Sequence, residues 1–361
     1  MLSLAAFLIV LSVLVLVHEF GHFITAKRIG VKVERFSMGF GPKLWSIKRG
    51  GTEYMISAIP LGGYVKMAGD EPWEKLKGAK WEFLSRSVGD RFWIIFAGPF
   101  LNYMLAFLLF SVIFMFGSPT TTTEVGGLMK DYPAARQGLA VGDKIIAVDG
   151  KSVKYWEDMT ALIHKHSEGS ITLTVERLGT TFDKEIKPAV RRTKDIFGSE
   201  VSIALIGVTP SQKIESVRYG FFQSLYMGGK KLLQLTAITY KALWSIITGR
   251  LSVKESLTGP IGIFVVTGQA AKMGFIYILH LMAILSASLA MFNILPLPIL
   301  DGGHILFLGI EKLRGKPLSL KAQEAIANIG VTLLIMLTIF IFYSDIVKFG
   351  LFDKVAKIFR R

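Results

Sequence analysis

Cysteine is absent from this chain of 361 residues. That excludes a disulfide-stapled scaffold, thiolate metal sites and thiol catalysis, so any chemistry must use histidine, carboxylate or hydroxyl groups. Charge is scarce as well: Asp, Glu, Lys and Arg make up 19% of the residues, against about 25% in an average soluble chain. Acidic residues are the scarcer sign, 27 against 42 basic, for a formal charge of +15. No aromatic-rich RNA-binding motif or zinc-finger spacing accompanies that excess, so it is read as contact with anionic membrane lipid and not with nucleic acid. Apolar residues are abundant: 51% of the chain is hydrophobic, with 26 Phe, and mean hydropathy is +0.48. These proportions exclude a disordered or collagen-like chain and describe a membrane protein.

Leu2–Val17 is interrupted only by Ser3 and Ser12. Continued through His18–Ala26, at about 1.5 Å per residue, it reaches spanning length. A cleaved signal peptide is the competing reading, but no basic start or small-residue cleavage site is present, and Lys27, Arg28, Lys32 and Arg35 follow the run. That order predicts an uncleaved span with its N-terminus outside and residue 27 onward in the cytoplasm. Further spans are expected at Phe92–Phe116, from Phe275 to about Leu295, and at Ile329–Phe342. Four spans put both termini outside; the basic tail with Lys348, Lys354, Lys357, Arg360 and Arg361 argues the other way. A fifth span at Leu232–Ile247 is disfavoured by Gln234 and Lys241.

Between the first two spans, Lys43–Ile47 and Thr52–Ala58 flank Gly50-Gly51, a hairpin signal, and Leu61-Gly62-Gly63-Tyr64-Val65 adds a turn and strand. Residues 119–192 carry their own turns, a helix-like stretch (Trp156–His166) and a β run (Ser170–Arg177), as a soluble domain does. Residues 216–257 mix Phe, Leu, Ile and Trp with Lys230, Lys231 and Lys241, a pattern suited to helices lying on the membrane surface. The fold class expected is thus a polytopic α-helical membrane protein of four transmembrane helices, a membrane-associated β-hairpin or sheet (about 31–68) and an inserted α+β domain. The divisions fall at 1–117, 118–192, 193–274 (linker and amphipathic helices) and 275–361.

The sharpest chemical signal is His18-Glu19-Phe20-Gly21-His22. Residues i and i+4 share a helix face, so both imidazoles suit two corners of a tetrahedral Zn²⁺, and Glu19 can reach a metal-bound water. Three ionisable groups at the inner end of an apolar span are costly unless they bind something. The plainer alternative is a helix end emerging among headgroups. A catalytic zinc wants a third protein ligand, here His, Asp or Glu. Asp301 is the leading candidate, in Asn293-Ile-Leu-Pro-Leu-Pro-Ile-Leu-Asp301-Gly-Gly-His304, where Pro296 and Pro298 break a helix at membrane depth. His304 stays open by residue type. His280 is a weaker rival, twenty-one residues before Asp301 and so about 30 Å away along a helix. His164 and His166 fall in the soluble domain and read as surface histidines.

HEFGH in the first span, Ala97-Gly98-Pro99 with Asn102 in the second, Thr258-Gly259-Pro260-Ile261-Gly262, and the NxxPxPxLDGGH stretch of the third together resemble the site-2 protease family, specifically its bacterial RseP-type zinc metalloproteases. The resemblance covers nearly the whole chain. It implies four spans, a membrane-associated β region after the first, and a PDZ domain on the outer side; Pro133–Gly150 resembles a PDZ core, and 119–192 has room for only one. It further implies a bacterial inner-membrane protease, active near the cytoplasmic face, with Zn²⁺ on His18, His22 and Asp301 and with Glu19 as general base. Single-span membrane proteins are the implied substrates: anti-sigma factors, remnant signal peptides or pheromone precursors. A transmembrane substrate must unwind before hydrolysis, and an exposed β edge at Tyr54, Met55, Ile56 and Ser57 is expected to hold it by strand addition. Asn293 and Asn102 are candidates to hold the substrate backbone or the developing oxyanion, or else to satisfy carbonyls of the broken helix. The PDZ-like domain either binds an exposed C-terminus or acts as a size filter, which the resemblance favours. Two other classes compete: a membrane-anchored scaffold with an inert histidine pair, and a metal transporter, which would need polar residues along spans two and four.

Overall fold

The structure, a computed structural model, describes residues 1–71, 76–166, 169–211 and 213–350; the basic residues Lys354, Lys357, Arg360 and Arg361 lie outside these. The chain opens with α1 (Leu2–Ile29), the strands β1 (Val33–Arg49) and β2 (Thr52–Met67), and α2 (Val88–Phe116). A mixed stretch follows: β3 (Ser118–Thr121), β4 (Val125–Leu128), α3 (Pro133–Arg136), β5 (Lys144–Val148), β6 (Lys151–Ser152), α4 (Trp156–His164), β7 (Ile171–Arg177) and β8 (Thr180–Ile186). It continues through β9 (Ala189–Lys194), β10 (Glu200–Leu205), β11 (Val208–Pro210) and β12 (Ile214–Val217). Helices complete it: α5 (Phe221–Ile247), α6 (Val253–Ser256), α7 (Pro260–Met273), α8 (Phe275–Ile294), α9 (Asp301–Arg314) and α10 (Leu320–Lys348). Two compact units result, one of residues 1–113, 222–240 and 253 onward, the other of 114–221 and 241–252.

In the first unit, α1, α2, α8 and α10 are long and apolar enough to cross a membrane. They contain or closely match the four expected runs, and α10 extends the short fourth run at both ends. Leu232–Ile247 is not a separate span but the second half of α5. The middle of α5, from Gly228 to Thr236, also departs from a helix merely resting on a surface. Leu232 is buried among Ala106, Phe110 and Ile113 of α2 and Ala283, Ala287 and Met291 of α8. Gly228 allows this, because a Cβ there would run into Ser111, and Tyr103 Oη lies 2.9 Å from Thr236 Oγ1. At the far end of the chain, Asp345 of α10 is buried and accepts the backbone N–H groups of Gly259 (3.2 Å) and Gly262 (2.9 Å). It thereby caps the start of α7 from another helix.

β1 and β2 are long because each is bent into two segments that pair separately. Gly50 and Gly51 join them with φ of 57° and 79°, the left-handed pair that a tight hairpin turn requires. Residues 43–49 pair with 52–57 (Trp45 with Ile56, Ile47 with Tyr54). On the other side of 52–57 lies 35–38, with Phe36 beside Tyr54 and Met38 beside Ile56. The same 35–38 segment then pairs with 63–67, Phe36 with Val65 and Ser37 with Tyr64. The order across the sheet is 43–49, 52–57, 35–38, 63–67. Tyr54, Met55 and Ile56 are therefore interior, with a strand on each side. Interior position overturns the expectation that Tyr54, Met55 and Ile56 offer an edge for strand addition, since each has a ladder partner on both sides; Ser57 pairs with Lys43. Among the described residues the outer edges are 43–49 and 63–67.

The second unit centres on the antiparallel sheet β6-β5-β7-β8, with α4 covering Ile145, Ile171, Leu173 and Val175 through Met159 and Ile163. Asp143, at the start of β5, is buried and takes Arg177 Nε at 2.6 Å and Nη2 at 2.7 Å, plus the Ala140 N–H. The Arg177 guanidinium, foremost through these bonds, holds the Asp143 carboxyl below the usual aspartate range. Residues 193–217, expected as linker, instead complete this unit. β10 pairs with β9, β11 with β4 and β12 with β3. The chain returns to strands laid down some eighty to a hundred residues earlier, a pairing that local pattern does not announce.

Candidate metal centre

The site begins with a close crossing of α1 and α2. Gly21 faces α2 so tightly that a Cβ would strike the Ala97 carbonyl, and a Cβ on Gly98 would run into His22 Nε2. The two glycines let the imidazoles of α1 lie directly against the second helix. His18 and His22 are each 8% exposed, with ring centroids 4.8 Å apart. Their Nε2 atoms are 3.2 Å apart. His22 Nδ1 is 2.9 Å from the Ile94 carbonyl, which makes Nδ1 the protonated nitrogen and turns the lone pair of Nε2 inward.

Asp301 is the first residue of α9, brought back to the histidines by the loop that ends α8 at Ile294. Gly302 and Gly303 fit beneath that loop; a Cβ on either would collide with the carbonyls of Ile294, Leu295 or Leu297. The Asp301 carboxylate lies 3.2 Å from His18 Nε2 and 3.6 Å from His22 Nε2. Ligand atoms around a tetrahedral zinc, with bonds of about 2.0–2.1 Å, stand about 3.3 Å apart. His18, His22 and Asp301 meet that spacing, and they form the one potential metal cluster among the described residues. His304, open by residue type, is exposed on the first turn of α9 and does not join them. His280 stacks edge-on against Phe110 at 5.6 Å, and His166 is 3.6 Å from Asp149 in the other unit.

Glu19 stands beside the cluster, within electrostatic range of all three groups, and the Val65 N–H reaches its carboxylate. Gly63 brings that strand in: a Cβ there would lie 3.3 Å from Glu19 Cγ and 2.8 Å from the Ser37 carbonyl. Thus the outer edge 63–67 borders Glu19. Asn293 near the end of α8 places its Nδ2 3.4 Å from His18 Nε2, on the metal side. Asn102 is elsewhere. It is 0% exposed and faces His18 Nδ1, at 3.4 Å, behind the ring. Burial there removes it from any direct contact with substrate. Sequence reasoning missed Ile94, Val65 and the steric role of Gly63 and Gly98; only the glycines left a visible trace, in Gly62-Gly63 and Ala97-Gly98-Pro99.

The donor set fits zinc on its chemistry: two imidazole nitrogens, one carboxylate and a backbone carbonyl that takes the His22 Nδ1 proton, with Glu19 beside the cluster. Comparison with known proteins points the same way. The profile of peptidase family M50 matches residues 6–337. A provisionally named zinc metalloprotease of Agrobacterium fabrum is 34% identical over 357 residues, 94% of each chain. The regulator of sigma E protease of Haemophilus influenzae is 32% identical over 443 residues, covering 96% of this chain and 99% of that one. The corresponding Salmonella typhimurium protease is 31% identical over 447, with 95% and 98% covered. These last two alignments exceed 361 residues, so both relatives carry stretches this chain lacks. A zinc-ready cluster set among apolar helices, in a chain matched almost end to end, makes this protein a membrane-embedded zinc metalloprotease of peptidase family M50, the site-2 proteases.

Proposed function

We propose that this protease hydrolyses peptide bonds within or near the transmembrane segments of single-span membrane proteins, in the bacterial cytoplasmic membrane. The observation that carries the reading is where the ligands sit. His18 and His22 lie in an apolar helix of spanning length, and Asp301 stands just past the loop that ends another. A metal site built there serves a bond that is itself in or beside the lipid. Two relatives are named regulators of sigma E protease, which favours substrates of a regulatory kind, with anti-sigma factors first and remnant signal peptides next.

Zinc, when bound, supplies an acidified water and a polarised scissile carbonyl. The protein's own groups do the rest. Glu19 accepts the water proton and returns it to the leaving amine. Asn293, on the metal side of His18, holds the substrate carbonyl. A substrate unwound from its helix adds as a strand along the outer edge of the sheet beside Gly63, replacing hydrogen bonds that unwinding removes. The fold of residues 114–221 supports a single PDZ-like domain: a short helix after β4, a four-stranded antiparallel sheet and α4 across it. We assign it to the outer side, with both termini, as a filter that excludes substrates with large outer domains. Thirteen of the 42 Lys and Arg fall in residues 25–91, which favours a cytoplasmic position for that segment and an active site near that face.

The test is cleavage of a detergent-solubilised single-span substrate, mapped by mass spectrometry. Cuts are expected inside the span, abolished by chelator. Glu19→Gln should keep its zinc and lose activity by about 10²- to 10⁴-fold, the range of general-base catalysis. Cuts confined to residues well outside the span, or a fully active Glu19→Gln, would overturn the reading.

A further inference from the structure

His18 can turn an Nε2 lone pair toward a metal only when its ring proton sits on Nδ1. Nδ1 must then donate, and the group facing it must accept. That group is the Asn102 carboxamide, 3.4 Å away and fully buried. With Nδ2 toward the ring, two donors meet, and Asn102 Oδ1 is left buried without a partner. A half-turn about the Cβ–Cγ bond exchanges the amide's two ends and gives the oxygen the Nδ1 proton. We propose that Asn102 is a positioning residue of the zinc site: its Oδ1 accepts from His18 Nδ1–H, fixes the tautomer and aims Nε2 at the metal.

The arrangement has a counterpart four residues along α1. His22 Nδ1 donates to the Ile94 carbonyl of the same helix α2 at 2.9 Å. Ile94 and Asn102 are eight residues apart, about two helical turns, and so share a face. Each imidazole therefore draws one acceptor from α2, a backbone carbonyl for His22 and a side-chain amide for His18. The Asn102 backbone is itself held, since its carbonyl accepts the Ser286 hydroxyl of α8 at 2.7 Å. Nothing in this role touches substrate. It acts through His18 alone, and it rests on the zinc reading of the cluster.

Zinc affinity measured by chelator competition, on the purified full-length protein, tests it independently of turnover. Asn102→Leu keeps the side-chain size and removes the acceptor; Asn102→Asp keeps an acceptor at the same place. Zinc binding is expected to weaken by about 10- to 100-fold in Asn102→Leu and to stay near wild type or tighten in Asn102→Asp. The thermal midpoint of metal-free Asn102→Leu should match that of the metal-free wild type. Wild-type zinc affinity in Asn102→Leu overturns the proposal. So does an equal loss in both variants, which marks a packing role. A wild-type protein that binds no zinc at all removes the zinc reading itself, a result distinct from either.

Discussion

Two glycines decide whether the histidine pair is usable. Gly21 and Gly98 are the points where α1 and α2 come within backbone contact, and His22 Nε2 occupies the volume a Gly98 Cβ would need. Gly98→Ala should push the imidazole aside, costing about 1–3 kcal/mol of stability through overpacking. It should also lower zinc content measured by atomic absorption; wild-type zinc occupancy in Gly98→Ala would show that the ring has room to spare. The i, i+4 histidines with the intervening glutamate were legible in the sequence because helical periodicity is local. The weight of Gly98 was not, since it depends on which helix crosses α1 and at what height. Asn102 and Asn293 show the same limit. One residue type at two helix positions read alike, and only packing put one amide behind His18 and the other in front.

Among elements, the bent sheet separates an interior strand from an edge. A proline removes one N–H and one ladder bond. At Met55, between Ser37 and Ser46, that loss falls inside the sheet and should destabilise the protein broadly. At Val65, whose N–H reaches Glu19, it should spare zinc binding and lower cleavage of a helical substrate by tenfold or more, about the effect of losing 1.4 kcal/mol of transition-state stabilisation. Unchanged cleavage by Val65→Pro would argue that this N–H does not hold the general base. The glycine hairpin itself was readable from Gly50-Gly51. Its wrapping into a four-segment sheet was not, because bends at Gly39, Gly41 and Gly62 let one strand pair twice. A second element-scale test concerns Asp345, the buried carboxylate joining α10 to the start of α7. Asp345→Ala strands two N–H groups and should cost about 2–4 kcal/mol. Faster hydrogen exchange at the start of α7, with a lower thermal midpoint in detergent, would register it.

For the whole molecule, one buried carboxylate and its arginine tie the stability of the second unit to pH. This unit depends on Asp143, whose carboxyl is held below its ordinary value chiefly by Arg177. Because the folded value is depressed, the stabilisation is complete above the unfolded value of about 3.9 and is lost as pH falls through the lower, folded one. Thermal melts between pH 6 and pH 2 should therefore show a falling midpoint at the acid end. Asp143→Asn should lose about 2–3 kcal/mol at neutral pH and show a shallower decline in acid. An equally steep decline in the variant would assign the acid sensitivity to other carboxylates.

Sequence alone determined the membrane class, the four apolar helices, the HEFGH pair and the glycine hairpin, because hydropathy and periodicity are carried by residues close together in the chain. It also marked Asp301, through the prolines and glycines that break a helix beside it. Tertiary structure decided what distance along the chain conceals: that Asp301 and not His304 closes the cluster, that the outer β edge beside Glu19 is 63–67, and that strands near residue 210 complete a fold begun near residue 118. Such contacts join segments tens to hundreds of residues apart, and they are settled by which surfaces fit together, a property no local pattern encodes.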